Sequence, residues 1–200
     1  MSTPPATTQR TGTALANSNC RMASGCTGIH FQTGGKVYPT PDQMRARSGD
    51  TEGGTSSDDL AKAWSSYGES LRVRNGQDFD AVLGDLAAGR LVMLDVWVDA
   101  MDAVCVSGSG GYGHTVGVLG PKVGSKWNVM DPWCSPGKWV YVNESQLRAG
   151  AEAWGKRVFS TAGDDPEYVE ALRTADDARA AAVIARVNKH LMTRTRLGVD

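Results

Sequence analysis

The sequence has 200 residues, of which 40% are hydrophobic and 22% are charged, and its formal net charge is -1. This composition is typical of folded globular proteins and unlike that of disordered chains. Because no basic block occurs, a nucleic-acid partner held through its phosphates is not expected. No apolar run approaches the roughly 20 residues that a membrane span needs, and the start, MSTPPATTQRTGT, lacks the pattern of a secretory signal peptide.

Helices are predicted in the first half of the chain. Residues 1–16 are rich in Pro, Thr and small side chains, so we expect them to form a flexible, loosely held lead. A helix is predicted over residues 20–32, where apolar residues recur at helical spacing after three candidate N-caps, Asn17, Ser18 and Asn19. Further helices are predicted over residues 41–47, 56–67 and 78–89.

Strands are predicted in the second half. Residues 90–98 (RLVMLDVWV) form an apolar, β-rich run that indicates a buried strand. Residues 114–120 and 126–131 predict two strands around a turn at residues 121–125, and residues 139–142 predict another strand. Helices followed by a largely antiparallel sheet are the pattern of an α+β fold.

The predicted domain covers residues 17–163. After residue 163 the composition changes, and Asp165 with Pro166 can begin a helix that runs towards Met192. We interpret residues 164–200 as a helical appendage that docks on the domain or pairs with a partner.

Cys20 is the strongest candidate for a reactive side chain. A thiol attacks only as the thiolate, so a catalytic cysteine needs surroundings that lower its pKa. The first turn of a helix provides them, because its unpaired N–H groups and dipole favour negative charge. The same N–H groups can hold the oxyanion of a tetrahedral intermediate.

His114 and Asp131 are the candidates for a base and its partner. His114 begins a predicted strand directly after a loop of Gly and Ser, where the rim of a site is expected. If His114 and Asp131 face each other across an antiparallel hairpin, the midpoint falls inside the predicted turn at residues 121–125. A cysteine, a histidine and an acid that holds the histidine tautomer form a nucleophile, base and orienter.

Three segments resemble the Cys, His and Asp boxes of papain-like cysteine peptidases of the bacteriocin-processing type. They are NCRMAS (19–24), GHTVGVLG (113–120) and VMDPW (129–133). Residues 40–60 also look like the versions found in actinobacterial phages, where such domains occur in tail proteins and lysins that attack peptidoglycan cross-bridges. The resemblance covers roughly residues 15–150. It implies a triad of Cys20, His114 and Asp131.

The resemblance further implies hydrolysis of peptide bonds through a thioester, with no metal and no cofactor. The implied substrate is a peptide, with a peptidoglycan cross-bridge as first choice. The protein would be made in the cytoplasm and delivered to the host cell wall with the virion, and residues 164–200 would contact other virion proteins.

The oxyanion hole departs from the family pattern. The family has a Gln about six residues before the cysteine, where this chain has Ala14. We expect Asn17 to substitute for it, with a capping role as the alternative. Trp133 and Gly113 are predicted to line the substrate cleft beside the acid and the base.

Other interpretations stay open. The missing Gln is compatible with a weak or inactive enzyme that serves as a virion structural protein, and an acyltransferase could use the same triad. Cys26 and His30, spaced i and i+4, could share a metal if two further ligands exist, but a packed core pair is the simpler interpretation. All four cysteines are expected to be reduced thiols. Cys105 and Cys134 are placed near the site, with a disulfide to Cys20 as an unsupported alternative.

Overall fold

A computed structural model describes residues 3–51, 53–76, 79–101, 105, 113–154 and 158–161. The predicted appendage, residues 164–200, lies outside these described residues. The helices are α1 (Cys20–Gln32), α2 (Pro41–Ser48), α3 (Ser57–Ser65), α4 (Phe79–Ala87) and α5 (Glu144–Ala153). The strands are β1 (Arg72–Arg74), β2 (Leu91–Trp97), β3 (Gly113–Val123), β4 (Lys126–Asp131), β5 (Lys138–Asn143) and β6 (Val158–Ser160).

The predicted α+β fold is confirmed. Helices α1 to α4 and strands β2 to β5 lie where the sequence pattern indicates. Two short strands and α5 escaped prediction. Strands β1 and β6 have only three residues each, too few for a period of two to show, and α5 carries mostly small and polar residues around Leu147. None of the helices within the described ranges has the length and apolar character needed to cross a bilayer.

The six strands form one antiparallel sheet in the order β1-β6-β2-β3-β4-β5. Strand β2 lies inside this sheet and is buried along almost its whole length, which explains its continuous apolar sequence. Strand β6 inserts between β1 and β2, so the end of the described domain pairs with its middle.

Each face of the sheet is covered by its own hydrophobic core, because side chains of β2 point alternately to the two faces. Leu91 and Met93 pack towards α1, α2 and α3 with residues such as Met22, Ile29 and Trp64. Val92, Leu94 and Val96 pack towards α4 and α5 in a cluster that includes Phe79, Val82, Leu86 and Leu147. Helix α1 is thereby fixed against β2 and β3, and β3 carries His114.

Two glycines let α1 approach α3 closely. A Cβ on Gly28 would lie 2.5 Å from the ring of Trp64, and one on Gly25 would lie 2.8 Å from the side chain of Leu60. Glycine inside a helix costs roughly 1 kcal/mol relative to alanine. Here the cost is offset by packing, because the fully buried ring of Trp64 lies against Gly28. Capping boxes of Thr40 with Gln43 and of Ser56 with Asp59 begin α2 and α3.

The prediction of a flexible lead is wrong for residues 3–16. The carbonyl of Pro4 accepts a hydrogen bond from the indole of Trp139, and the side chains of Thr7 and Thr27 are bonded at 2.9 Å. Gln9 is fully buried. The segment therefore bonds both to α1 and to β5. Its polar composition suggested a loose chain, but those polar groups are the ones that make these bonds.

Candidate functional site

Cys20 is the first residue of α1, and the residue as a whole is partly exposed. Asn19 occupies the cap position, as predicted, but its side chain does not cap the helix. It accepts a hydrogen bond from Arg45 instead, so the backbone N–H groups of the first turn have no side-chain cap. No acidic residue lies in that turn either. The positive end of the helix is thus available to a thiolate or an oxyanion.

His114 and Asp131 are in direct contact. The Nε2 atom of His114 lies 2.9 Å from Oδ1 of Asp131, and both side chains are buried. The predicted register of the hairpin is wrong by two residues. Gly117 pairs with Met130, so continuing the register puts Asp131 opposite Val116 and diagonal to His114. The turn lies at residues 124–125, late in the predicted segment 121–125, and an irregularity between Leu119 and Val123 reduces the resulting offset to this shift of two residues. Because it is an even number of residues, both side chains stay on the same face.

Cys20 and His114 stabilise each other's charged forms. Burial alone would raise the pKa of the Cys20 thiol, but the hydrogen bond and charge of His114 outweigh it, and the pKa is lowered. The backbone of Thr115 and the charge of Arg21 act in the same direction. Burial lowers the pKa of His114, yet its hydrogen bonds to Asp131 and Cys20 raise the pKa to about 9. Both shifts favour the charged thiolate and imidazolium forms over the neutral pair.

Asp131 is fully buried at the end of β4 and is held as a carboxylate. Burial would raise its pKa, but the hydrogen bond and charge of His114 lower the pKa, as do the backbone N–H groups of Trp133 and Cys105. One oxygen accepts from His114 and from Trp133, and the other accepts from Cys105. With Nε2 of His114 bonded to Asp131, Nδ1 is the ring nitrogen left for Cys20.

A second polar cluster, which the sequence analysis missed, ties α1 to the sheet beside the site. Arg21 forms an ion pair with Asp95 at 2.6 Å, and the other oxygen of Asp95 accepts from the hydroxyl of Thr115 at 2.6 Å. Ser24 donates to the backbone carbonyl of Thr115. Since Arg21 follows Cys20 and Thr115 follows His114, these bonds fix the helix and the strand relative to each other. The signal was a lone acid, Asp95, inside the apolar run of β2.

Trp133 and Gly113 flank His114. The ring of Trp133 meets the imidazole edge to face, with centroids 6.5 Å apart, and Arg10 lies over the Trp133 ring. Gly113 pairs with Trp97 on β2. A Cβ on Gly113 would lie 2.0 Å from the indole of Trp154, so the glycine makes room for that ring. Their predicted contact with substrate stays a prediction.

The prediction of four reduced cysteines is wrong, because Cys105 and Cys134 form a disulfide. The cysteines are far apart in sequence, but the fold brings their Cα atoms to 5.2 Å. Cys20 is a free thiol, which also excludes the alternative disulfide to Cys20. Cys26 is buried and free, and burial raises the pKa of its thiol well above the ordinary value. Among the described residues, no third metal-ligating side chain accompanies Cys26 and His30.

Gln9 is a buried glutamine near the site that the sequence analysis did not single out. Ala14, at the family's position, is exposed, and Asn17 is exposed on a single 3-10 turn, Ala16–Ser18. Gln9 lies further back in the chain but is fully buried, and its Nε2 donates to the carbonyl of Ala16. Its backbone N–H donates to the carbonyl of Pro132, beside Asp131. Gln9 therefore lies between the chain that leads to Cys20 and the turn that follows Asp131.

The sequence matches no family model and no curated protein, but the fold is similar to that of two solved structures. One is assigned as a C39-like peptidase from Bacillus anthracis, with a TM-score of 0.57 and 12% identity over 80% of this chain and 94% of that chain. The other is the peptidase domain of Streptococcus ComA, a bifunctional transporter involved in quorum sensing. It has a TM-score of 0.53 and 15% identity over 74% of this chain and 93% of that one. The predicted papain-like fold is confirmed.

Proposed function

We propose that this protein is a cysteine peptidase that cleaves peptide bonds with Cys20 as nucleophile, His114 as base and Asp131 as orienter. The observation that carries the proposal is the 2.9 Å contact of His114 with Asp131, together with the interaction of the Cys20 thiol with His114. The lowered pKa of Cys20 and the raised pKa of His114 give that chain the charge distribution of an activated nucleophile. The likeness to peptidases of known structure supports it through the fold alone.

In the proposed first step, the Cys20 thiolate attacks the carbonyl carbon of the substrate. The carbonyl oxygen becomes an oxyanion in a tetrahedral intermediate, close to the uncapped N–H groups at the start of α1. Asp131 keeps Nε2 of His114 engaged, so that Nδ1 remains directed at the reacting groups.

In the second step, the C–N bond of the substrate breaks. The His114 imidazolium gives its proton to the leaving amine, and a thioester to Cys20 remains. His114, now neutral, takes a proton from a water molecule that attacks the thioester. The acid product leaves, and the thiolate and imidazolium pair is restored.

We assign the side-chain donor of the oxyanion hole to Gln9, with Asn17 as the alternative. Nε2 of Gln9 carries two hydrogens, and its bond to the Ala16 carbonyl uses one and fixes the plane of the amide. Asn17 is exposed and has no comparable fixed orientation. We expect Gln9→Ala to lower kcat by about 100- to 1000-fold. Asn17→Ala is the matched control, and a larger loss in that variant would transfer the assignment to Asn17.

The proposed substrate is a peptide, and a peptidoglycan cross-bridge is the first choice. This choice rests on the resemblance of residues 40–60 to phage versions of the domain, as does the proposed contact of residues 164–200 with other virion proteins. The ComA domain belongs to a transporter of a quorum-sensing pathway, which makes linear peptides the comparison substrate. Release of new amino groups from purified sacculi and from linear peptides, with Cys20→Ala as control, would separate the two.

The first experiment needs no substrate. Iodoacetamide at pH 6 should alkylate Cys20 well ahead of Cys26, because the pKa of the Cys20 thiol is lowered whereas that of the Cys26 thiol is raised. Equal and slow alkylation would favour the rival interpretation as an inactive virion protein. Alkylation of Cys20 without hydrolysis, together with transfer to an added amine, would favour the acyltransferase.

A further inference from the structure

Asp131 receives one hydrogen bond from a distant part of the chain. Two of its three donors are close at hand, namely the ring of His114 across the hairpin and the N–H of Trp133 two residues on. The third is the backbone N–H of Cys105, which lies 2.6 Å from Oδ2 and is 26 residues away in sequence. Among the described residues, this N–H is the donor that bonds to Oδ2.

The disulfide joins this distant donor to the turn that carries Asp131. Cys105 is bonded to Cys134, and the backbone N–H of Cys134 donates to the carbonyl of Asp131 at 3.3 Å. Cys134 is therefore anchored to Asp131 by local backbone structure. Because the disulfide links Cys105 to Cys134, it also keeps the backbone N–H of Cys105 within hydrogen-bond distance of the Asp131 carboxylate.

We propose that the Cys105–Cys134 disulfide is a redox control on the site: the intact bond holds the Cys105 N–H on Asp131, and its reduction slows the reaction of Cys20. The inference deepens the proposed function and rests on it for the effect on hydrolysis. The effect on Cys20 reactivity follows from the contacts alone.

The chemistry is thiol–disulfide exchange with a dithiol reductant. One thiolate of the reductant attacks one sulfur of the disulfide and forms a mixed disulfide, and its second thiol then displaces the protein sulfur. Two electrons and two protons pass to the protein, which gains the thiols of Cys105 and Cys134, and the reductant becomes a cyclic disulfide.

Release of the Cys105 N–H is expected to affect first Asp131, then His114 and finally Cys20. The Asp131 carboxylate loses a charge-assisted hydrogen bond and becomes free to turn away from His114. The His114 imidazolium then loses part of its stabilisation, and the thiolate fraction of Cys20 falls with it. Loss of one such bond corresponds to about a tenfold to hundredfold fall in rate.

The experiment compares the oxidised and the reduced full-length protein. Thiol titration of the denatured protein must first give two thiols, Cys20 and Cys26, before reduction and all four afterwards. Alkylation of Cys20, followed by peptide mass spectrometry, and hydrolysis of peptide are then measured on both forms. We expect both rates to fall about tenfold or more on reduction, and to recover when the disulfide is re-formed.

The double variant Cys105→Ser/Cys134→Ser is the control. It should show the low alkylation rate of the reduced protein and no response to the reductant. Circular dichroism must show that it is folded; if it is not, the reduction and reoxidation cycle of the natural protein decides alone. Both forms are measured with and without EDTA, because the ligand atoms of Cys105, Asp131 and Cys134 lie within 4.8 Å of one another and the freed thiols could bind a metal.

Equal alkylation rates in the oxidised and reduced protein would overturn the inference and leave the disulfide as a structural bond. A fall that disappears with EDTA would also overturn it, since metal capture would then be the cause. A different result would count against the proposed function alone. If no peptide is cleaved in either form while Cys20 alkylation still responds to the reductant, the peptidase assignment is lost and the redox control stands.

Discussion

Cys20 and Cys26 lie on the same helix, six residues apart, and differ in almost every chemical property. Cys20 begins α1 and is partly exposed beside His114, and its pKa is lowered. Cys26 lies in the middle of α1 against the core of Met22, Ile29 and Trp64, and its pKa is raised. The pKa of a thiol on α1 therefore depends on whether the cysteine lies at the start of the helix beside His114 of β3 or inside the core.

The largest effect should come from Cys20→Ala. Turnover should fall by at least about 10⁴-fold, because no other described nucleophile contacts His114. The midpoint of thermal unfolding should stay nearly unchanged, since the side chain is partly exposed. Hydrolysis assays and a thermal melt check both parts. A marked loss of stability would mean that Cys20 behaves like Cys26, as a core residue.

Asp131→Asn should lower kcat by about 10²- to 10⁴-fold, because the amide no longer favours the productive tautomer and charge of His114. If the proposed function holds, the natural protein should lose activity above a pH of about 9, where the imidazolium deprotonates. Without the carboxylate the pKa of His114 falls, so this alkaline limb should move to lower pH. A pH profile of kcat/KM tests the shift, and near-normal activity would remove Asp131 from the site.

A smaller effect is expected from Thr115→Val, which removes the hydroxyl that donates to Asp95. The variant should alkylate at Cys20 severalfold more slowly, because the start of β3 is less firmly held against Arg21 and α1. Thr115→Ser keeps the hydroxyl and should restore the natural rate. If the serine variant is as slow as the valine variant, the hydrogen bond does not position the site.

The smallest effect on activity should come from Cys26→Ala. The sulfur fills core space between α1 and its neighbours, so its removal should lower the free energy of unfolding by about 1 to 2 kcal/mol. The values of kcat and KM should be unchanged, because Cys26 does not contact the site. Denaturant unfolding measures the free energy of unfolding, and steady-state kinetics measure kcat and KM. A large fall in kcat would contradict the assignment of Cys26 as a core residue.

Much of the site could be predicted because its signals are local. The helix start at Cys20, the glycine-rich approach to His114 and the strand that ends at Asp131 are each visible within a few residues. The hairpin register was two residues off, because the turn lies at the end of the predicted segment 121–125 and the irregularity after Leu119 only partly offsets this, but the even shift kept His114 and Asp131 on the same face.

The sequence alone therefore indicates the order of the main helices and strands, the continuous apolar pattern of β2 and the candidate side chains Cys20, His114 and Asp131. The contacts between distant segments depend on the tertiary structure, because no sequence pattern links residues that lie so far apart in the chain. Gln9 reaches Pro132, Arg21 reaches Asp95, and Cys105 reaches Cys134 only after the chain has folded. Local periodicity reports which face a residue occupies, whereas a hydrogen bond or disulfide between distant segments depends on how those faces are brought together.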